Sequence, residues 1–430
     1  MVILLYINRK NNYMLKINPF TPNLPVSHHM FVGRQEELNI LQRCIMQTRA
    51  NRPTNFLILG ERGIGKTSLI NYVRSIAKSE VVLHKTPIKF LVLQTEIIND
   101  TTIVGLLKKI QFALEYELQR EDRLKEIFSK SFKFLKRIEI SGIRLHEEKS
   151  EEDIDTLLEQ FSYELADLSK KICTDPTNTD LFENKYEGII ILLDEADNAP
   201  KELQLGVIVK LLMERLHRHG CFRVMLGLAG LPSLHTKLFE SHESSIRLFQ
   251  TINLTRLTNE DISKVIDKCL DDSNKHLSKK IIIDDKAKSL LQTLSEGFPH
   301  FIQQYGYSAF EKDDDNFIDE ADVSLGAFSK GGALESLGDR YYRSDFYNKI
   351  QQDSYRQVLL IMSEYYTNWV SKEQIRSKFS GSTSTLSNAL RTLRLKNIIL
   401  SKEGETGKYK LQHVAFALWI KHQSNFKNKT

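Results

Sequence analysis

The sequence predicts an α/β protein with a parallel sheet, followed by a helical module and a C-terminal winged helix-turn-helix. Three observations carry that expectation. Gly60-Glu61-Arg62-Gly63-Ile64-Gly65-Lys66-Thr67 satisfies the phosphate-loop pattern G-x-x-x-x-G-K-[ST] at every fixed position, between an apolar run and a helical pattern. Gly188-Ile189-Ile190-Ile191-Leu192-Leu193 and Phe222 to Leu228 are apolar without alternation, as strands buried on both faces of a parallel sheet are. After Tyr355, three short helical patterns lead into a hairpin pattern.

Bulk properties narrow the class. A chain of 430 residues is long for one core, and roughly two to four domains are expected. The opening Met1 to Ile7 is apolar but far shorter than the ~20 residues of a membrane span and lacks a cleavage pattern. Neither a targeting signal nor a membrane partner is expected. Cys44, Cys173, Cys221 and Cys269 are scattered with no C-x-x-C pair, which points away from zinc and from a disulfide framework and fits a reducing cytoplasm. The net charge of +5 is modest but uneven.

Taken in order, the chain begins with an arm whose Pro19, Pro22 and Pro25 exclude regular helix and central strand, so it is expected to lie extended over a surface. Phe31-Val32-Gly33-Arg34-Gln35-Glu36-Glu37-Leu38 then opens an amphipathic helix running to about Ala50. Asn55 to Leu59 is a strand, and Ser68 onward is a helix. In the loop between them, glycines permit φ > 0 and bare the backbone N–H groups to phosphate oxygens at a helix N-terminus. Gly60 to Thr67 with Ser68 is therefore the expected nucleotide site. Lys66 would reach the β- and γ-phosphates, and the Thr67 hydroxyl would complete a Mg²⁺ shell.

The order hhGRxxEL followed by G-x-x-G-x-G-K-T resembles the AAA+ ATPases of the origin-recognition-complex-like branch and the related STAND ATPases. That resemblance implies an AAA+ core with ATP/ADP and Mg²⁺ as cofactors. It also places Phe31, Val32 and Arg34 beside the adenine; read from its position alone, Arg34 is a surface cation at a helix start.

Phe90 to Thr95 reads as a second core strand and Thr102 to Gln119 as a helix. Lys125 to Lys171 is charged and mostly helical in pattern, interrupted by an alternating Ile138 to Leu145 that suggests a strand or hairpin arm, and Thr174 to Glu187 reads as a loop. The run at Gly188 ends in Asp194-Glu195-Ala196-Asp197, a Walker B signature of the hhhhDE class. Open α/β sheets hold ligands at the carboxyl ends of strands, so Asp194 would share Mg²⁺ with Thr67 and Glu195 would orient and deprotonate the attacking water. Asp197 reads as a helix N-terminal acid.

The next buried strand ends in Ala229-Gly230-Leu231-Pro232, where AAA+ enzymes usually carry a polar sensor; Ser233 is the nearest hydroxyl. Slow or stimulated hydrolysis is the corresponding expectation. Arg247, before the apolar Thr251 to Leu254, resembles the arginine finger that a neighbouring subunit offers to the γ-phosphate. The alternative is a surface arginine paired with Glu240 or Glu243.

Leu257 to Asp261 begins a helical region, broken by Gly297-Phe298-Pro299. By resemblance this is a lid whose Pro299 approaches the base. Asp313 to Asn316 reads as a solvated linker and Ser329 to Gly338 as a glycine-containing connector. Beyond it, Val358, Leu359, Ile361 and Met362 share one helix, Ser371 to Gln374 has the form of a capping box, and Leu386, Ala389, Leu390 and Leu393 form a buried stripe. From Ser354 to Thr430 there are thirteen Lys/Arg against four Asp/Glu. Ser384, Asn388, Arg391, Arg394, Lys396, Lys402, Lys408 and Lys410 are the candidate DNA contacts. Winged helices also dock proteins and clamp their own chains.

The expected boundaries are an extended arm over 1–30, the ATPase core over 31–255 with an insertion at about 120–186, a lid over 256–340 and the winged helix over 341–430. The resemblance implies an ATPase that couples nucleotide state to DNA engagement in replication, mobile-element or defence machinery. A STAND-like signalling ATPase that oligomerises and acts on an effector protein without DNA is the alternative.

Overall fold

The structure, a computed structural model, describes residues 16–26, 30–81, 87–118, 151–173, 186–275, 277–350, 352–366, 368–396, 398–402 and 404–427. It divides into two compact units: Pro25–Thr255, and Met1–Leu24 together with Arg256–Thr430.

The first unit is built on five parallel strands: β1 (Asn55–Leu59), β2 (Phe90–Glu96), β3 (Gly188–Asp194), β4 (Val224–Gly230) and β5 (Phe249–Asn253), in the order β2-β3-β4-β1-β5. Every residue of β1, β3 and β4 is buried, which explains their unbroken apolar runs. The register aligns Glu96 with Asp194 and Leu59 with Gly230, so all the strand ends that matter for chemistry emerge on one side of the sheet. Asn55 is the exception to apolarity inside the sheet. Its Oδ1 accepts from Leu226 N (2.8 Å) and its Nδ2 donates to the Leu248 carbonyl (3.2 Å), tying β1 to the segments on both sides.

The helices of this unit are α1 (Gln35–Arg49), α2 (Lys66–Ala77), α3 (Ile103–Leu118), α4 (Glu151–Ile172), α5 (Leu205–Arg218) and α6 (Ser233–Ser241). The expected hairpin arm at Ile138 to Leu145 and most of the expected loop over Thr174 to Glu187 lie outside the described residues. The described part of the expected insertion, α4, packs into the core of this unit. Leu158, Phe161, Leu165 and Leu168 of α4 join the same core as β3 and α5, because they recur at helical spacing along one stripe. Arg215 of α5, itself buried, pairs with the exposed Asp155 and the half-buried Glu159 of α4, so its charge is compensated.

The second unit opens with α7 (Asn259–Asn274), β6 (Ile282–Ile283), α8 (Asp285–Ser295), α9 (Pro299–Phe310), β7 (Phe317–Ile318), α10 (Glu320–Phe328) and α11 (Ala333–Leu337). Two expectations are corrected here. The arm does not merely lie over a surface: Phe20 is buried against α9 at Gly306, where a Cβ would come within 2.4 Å of its ring, and Thr21 N donates to Gln303 Oε1 (2.8 Å). An aromatic ring with no other apolar shelter takes that slot. Nor is Asp313 a solvated linker residue. It is buried, accepts from Asn316 N (2.8 Å) and Phe317 N (3.1 Å), and pairs with Lys16.

The connector is likewise more ordered than glycine content suggests: α11 runs into two π-helical turns, Gly338–Tyr342 and Asp345–Lys349. Then come α12 (Asp353–Ser363), β8 (Val370–Ser371), α13 (Lys372–Lys378), α14 (Thr383–Leu395), β9 (Ile399–Ser401), β10 (Lys408–Leu411) and α15 (Val414–Lys427). The antiparallel order β8-β10-β9 with α12, α13 and α14 is a winged helix-turn-helix. Ser371 and Gln374 form the expected capping box.

Within this unit, the turn before Pro299 meets the start of α15. Glu296 sits at φ 49° and accepts from Val414 N (2.5 Å). Arg256 pairs with Glu296 at 3.3 Å, donates to the Gln412 carbonyl at 3.3 Å, and covers the Phe298 ring at 4.7 Å.

Candidate functional site

Gly60 to Gly65 links β1 to α2, with Gly63 and Gly65 at φ 77° and 101°, values that a side chain at either position would resist. The turn brings Lys66 to the N-terminus of α2, and its Nζ donates to the carbonyls of Gly60 (2.9 Å) and Glu61 (3.0 Å). Burial lowers the Lys66 pKa from the ordinary lysine value; the charges of Asp197, Asp194 and Glu195 oppose that shift and Arg62 adds to it. An ammonium held by two carbonyls of its own loop is a donor ready to be transferred to a stronger acceptor such as phosphate.

The two acids expected at the end of β3 are where the register puts them. Thr67 Oγ1 donates to Asp194 Oδ2 at 2.9 Å across 127 residues of sequence, while Asp194 Oδ1 accepts from Glu195 N at 2.8 Å. A hydroxyl and a buried carboxylate meeting beside a phosphate loop are hard oxygen donors suited to Mg²⁺. Glu195 is exposed and left-handed (φ 50°), a conformation that costs a non-glycine residue about 1–2 kcal/mol. Asn198 Nδ2 steadies its Oε2 at 3.2 Å.

Asp197 is an acid in the first turn of a short helix and has a further role. It lies in a single 3₁₀ turn, Ala196–Asn198, and its Oδ1 accepts from Leu231 N (2.9 Å) just past β4. The D-E-x-D-N spacing was the available signal for both Asp197 and Asn198.

Among the residues expected beside the base, Phe31 packs on Tyr72 of α2 with ring centroids 5.2 Å apart, and Val32 is half-buried. Tyr72 escaped the sequence reading because an aromatic on an amphipathic helix is usually core. Arg34 is no free surface cation. At φ 67°, it directs its guanidinium to Glu37 (3.3 Å), to the Ile64 carbonyl of the phosphate loop (3.5 Å) and to the Thr255 carbonyl.

Residues 30–219 match the family model of the AAA ATPase domain. The chain carries an AAA ATPase domain. An uncharacterized HTH-type transcriptional regulator of Methanocaldococcus jannaschii is 24% identical over 274 residues, 60% of this chain and 58% of that protein; the match spans less than two thirds of the relative's length. The ORC2 protein of Aeropyrum pernix, solved in ADPNP-ADP complexes, shares the fold with TM-score 0.52 and 11% identity over 92% of this chain and 95% of its own.

Outside the AAA site proper, Arg247 is exposed and makes no ion pair with Glu240 or Glu243. Asn55 pairs with Phe249, so Arg247 lies at the end of the sheet opposite the phosphate loop, the length of a five-residue strand (about 17 Å) away. It does not serve the loop of its own chain. Pro299 is the first residue of α9, in the other unit.

Of the candidate DNA contacts, Ser384, Asn388 and Arg391 occupy one exposed face of α14 at helical spacing, with Arg394 beside them and Lys396 just beyond. Leu386, Ala389, Leu390 and Leu393 are its buried stripe, as expected. The wing is less available: Glu405, at the hairpin tip between Gly404 and Gly407, pairs with both Lys402 and Lys408, which holds its carboxyl down at about 2. Lys410 is half-buried on β10. Among the described residues no helix is long and apolar enough to cross a membrane.

Proposed function

We propose that the chain is an ATP-binding and ATP-hydrolysing AAA+ switch whose nucleotide state controls engagement of DNA by the winged helix. The observation that carries this reading is the Thr67–Asp194 bond, which joins the two halves of a Mg²⁺–phosphate site at 2.9 Å. Backbone N–H groups of Gly63 to Thr67 bind the phosphates, and Lys66 exchanges its carbonyl partners for the β- and γ-oxygens. Thr67 and Asp194 would hold Mg²⁺, which would supply positive charge against that developing on the transferred phosphoryl group. Glu195, oriented by Asn198, takes the proton of the attacking water. Phe31 with Tyr72 and Val32 form an apolar wall for the base, and Arg34 braces the loop instead of meeting the nucleotide.

The DNA half rests on the exposed polar face of α14 and on the relative described as an HTH-type transcriptional regulator. Arg391 and Arg394 contact the duplex first, because Glu405 competes for the wing lysines.

Purified protein assayed for ATP turnover with and without DNA tests the reading. Lys66→Ala should abolish nucleotide binding, and Glu195→Gln should retain ATP but lower turnover by about 100-fold. Normal turnover by Glu195→Gln would remove Glu195 from the mechanism. Arg391→Glu with Arg394→Glu should weaken DNA binding and flatten its salt dependence.

A second reading, a STAND-like switch that oligomerises without DNA, is favoured by Arg247, which is exposed and stands away from the phosphate loop of its own chain. Particle size with ADP and with a non-hydrolysable ATP analogue separates the two. Nucleotide-driven assembly that ignores DNA supports the second.

A further inference from the structure

The end of β4 has no polar side chain of its own, for its last residues and those following are Ala229, Gly230, Leu231 and Pro232. It is nonetheless hydrogen-bonded on both flanks. Toward the phosphate loop, Gly60 N donates to the Gly230 carbonyl at 3.2 Å. On the other flank, Leu231 N donates to Asp197 Oδ1 at 2.9 Å. Because Lys66 Nζ donates to the Gly60 carbonyl at 2.9 Å, a continuous set of contacts runs from Asp197 through the end of β4 to the loop lysine.

The fit is built rather than incidental. A Cβ on Gly230 would lie 2.8 Å from Asp197 Oδ1, so only glycine leaves room for the carboxylate. Lys237 of α6 holds the 3₁₀ turn from below, donating to the carbonyls of Asp197 (2.5 Å) and Ala199 (3.0 Å).

We propose that Asp197 is a positioning residue for ATP hydrolysis, fixing the end of β4 and, through Gly60, the phosphate loop in the arrangement that the transition state requires. The proposal rests on the ATPase reading above. Asp197 lies behind the loop, and its negative charge gives no attraction to the polyphosphate, so it does not add to ground-state nucleotide affinity. It matters once Lys66 has left the loop carbonyls. Then the seated β4 end keeps Gly60, and with it the start of the phosphate loop, in place.

The test compares Asp197→Asn, which keeps an oxygen for Leu231 N but removes the charge, with Asp197→Ala, which removes both. Steady-state ATP turnover and affinity for a fluorescent ADP analogue are measured for each, with Lys66→Ala and Glu195→Gln alongside. Asp197→Asn should lower kcat about tenfold and Asp197→Ala about 100-fold, with KM and ADP affinity changed less than about threefold. Asp197→Glu should not restore the rate, since the longer acid meets Leu234 and Gly230. A merely structural residue would show a lower Tm with kcat unchanged in Asp197→Asn, and that result overturns the proposal. Loss of ADP binding in Asp197→Asn overturns it as well. If the wild-type chain binds ADP but shows no turnover with or without DNA, the hydrolysis reading itself falls and the proposal goes with it.

Discussion

Acid should unfasten the second unit through two histidines. His413 packs edge-on against Phe298 at 4.9 Å, and its Nδ1 has no partner; burial, with Arg256 nearby, lowers its pKa to about 3. His300 is pushed down to about 4 by burial and by Arg340, whose guanidinium donates to Nε2 at 3.2 Å, leaving Nδ1–H to donate to the Tyr341 hydroxyl at 2.9 Å. Both folded values lie below the ordinary histidine value of 6.5. Below pH 6.5 the unfolded chain therefore binds protons that the folded unit refuses. Stability is full above that pH and is lost as the pH falls, by about 1.4 kcal/mol per pH unit for each histidine, or about 5 kcal/mol for both together between pH ~6 and ~4. Glu296, which burial pushes up, works in the opposite sense, its contribution growing as the pH falls. The informative quantity is the difference between the Trp369→Phe chain and the same chain carrying His300→Gln and His413→Phe. Urea unfolding followed by fluorescence of the buried Trp419 at several pH values measures it. Parallel stability-versus-pH lines for the two proteins would refute the reasoning.

Three further outcomes are expected. Asn55→Leu should cost about 2–4 kcal/mol, because it leaves Leu226 N and the Leu248 carbonyl unpaired inside the sheet; chemical denaturation of the AAA unit reads it. Phe20→Ala should destabilise the helical unit by about 3 kcal/mol, seen as a lower Tm, since it empties the slot at Gly306. Glu405→Gln should release Lys402 and Lys408 and tighten DNA binding about two- to fivefold at low salt, an effect that fades as salt rises; equal affinities would take the wing off the DNA.

The parts of this molecule governed by short-range rules were legible in the sequence. A G-x-x-x-x-G-K-T loop between a strand and a helix and an hhhhDE strand state their own geometry and meet at Thr67 and Asp194, and the capping box at Ser371 closes as its spacing suggests. Misreadings came where a partner distant in sequence sets the role. Asp197 resembles any acid at a helix start until β4 supplies Leu231 N. Asp313 resembles a surface acid until Lys16, some 300 residues earlier in the chain, comes to pair with it. Helix α4 belongs to the core because its apolar stripe finds β3 and α5, which no local pattern announces. Arg34 shows the same limit in reverse. The GR motif marks its position, but not that its guanidinium faces carbonyls.

The discontinuous make-up of the second unit has a mechanical consequence. The chain leaves that unit after Leu24 and returns to it at Arg256, so the AAA unit is strung between two covalent strands instead of hanging from one. Cutting either strand alone therefore leaves the other still joining the two units. A protease that cuts one strand should leave the pieces travelling together, because Phe20 and Thr21 remain plugged into α9.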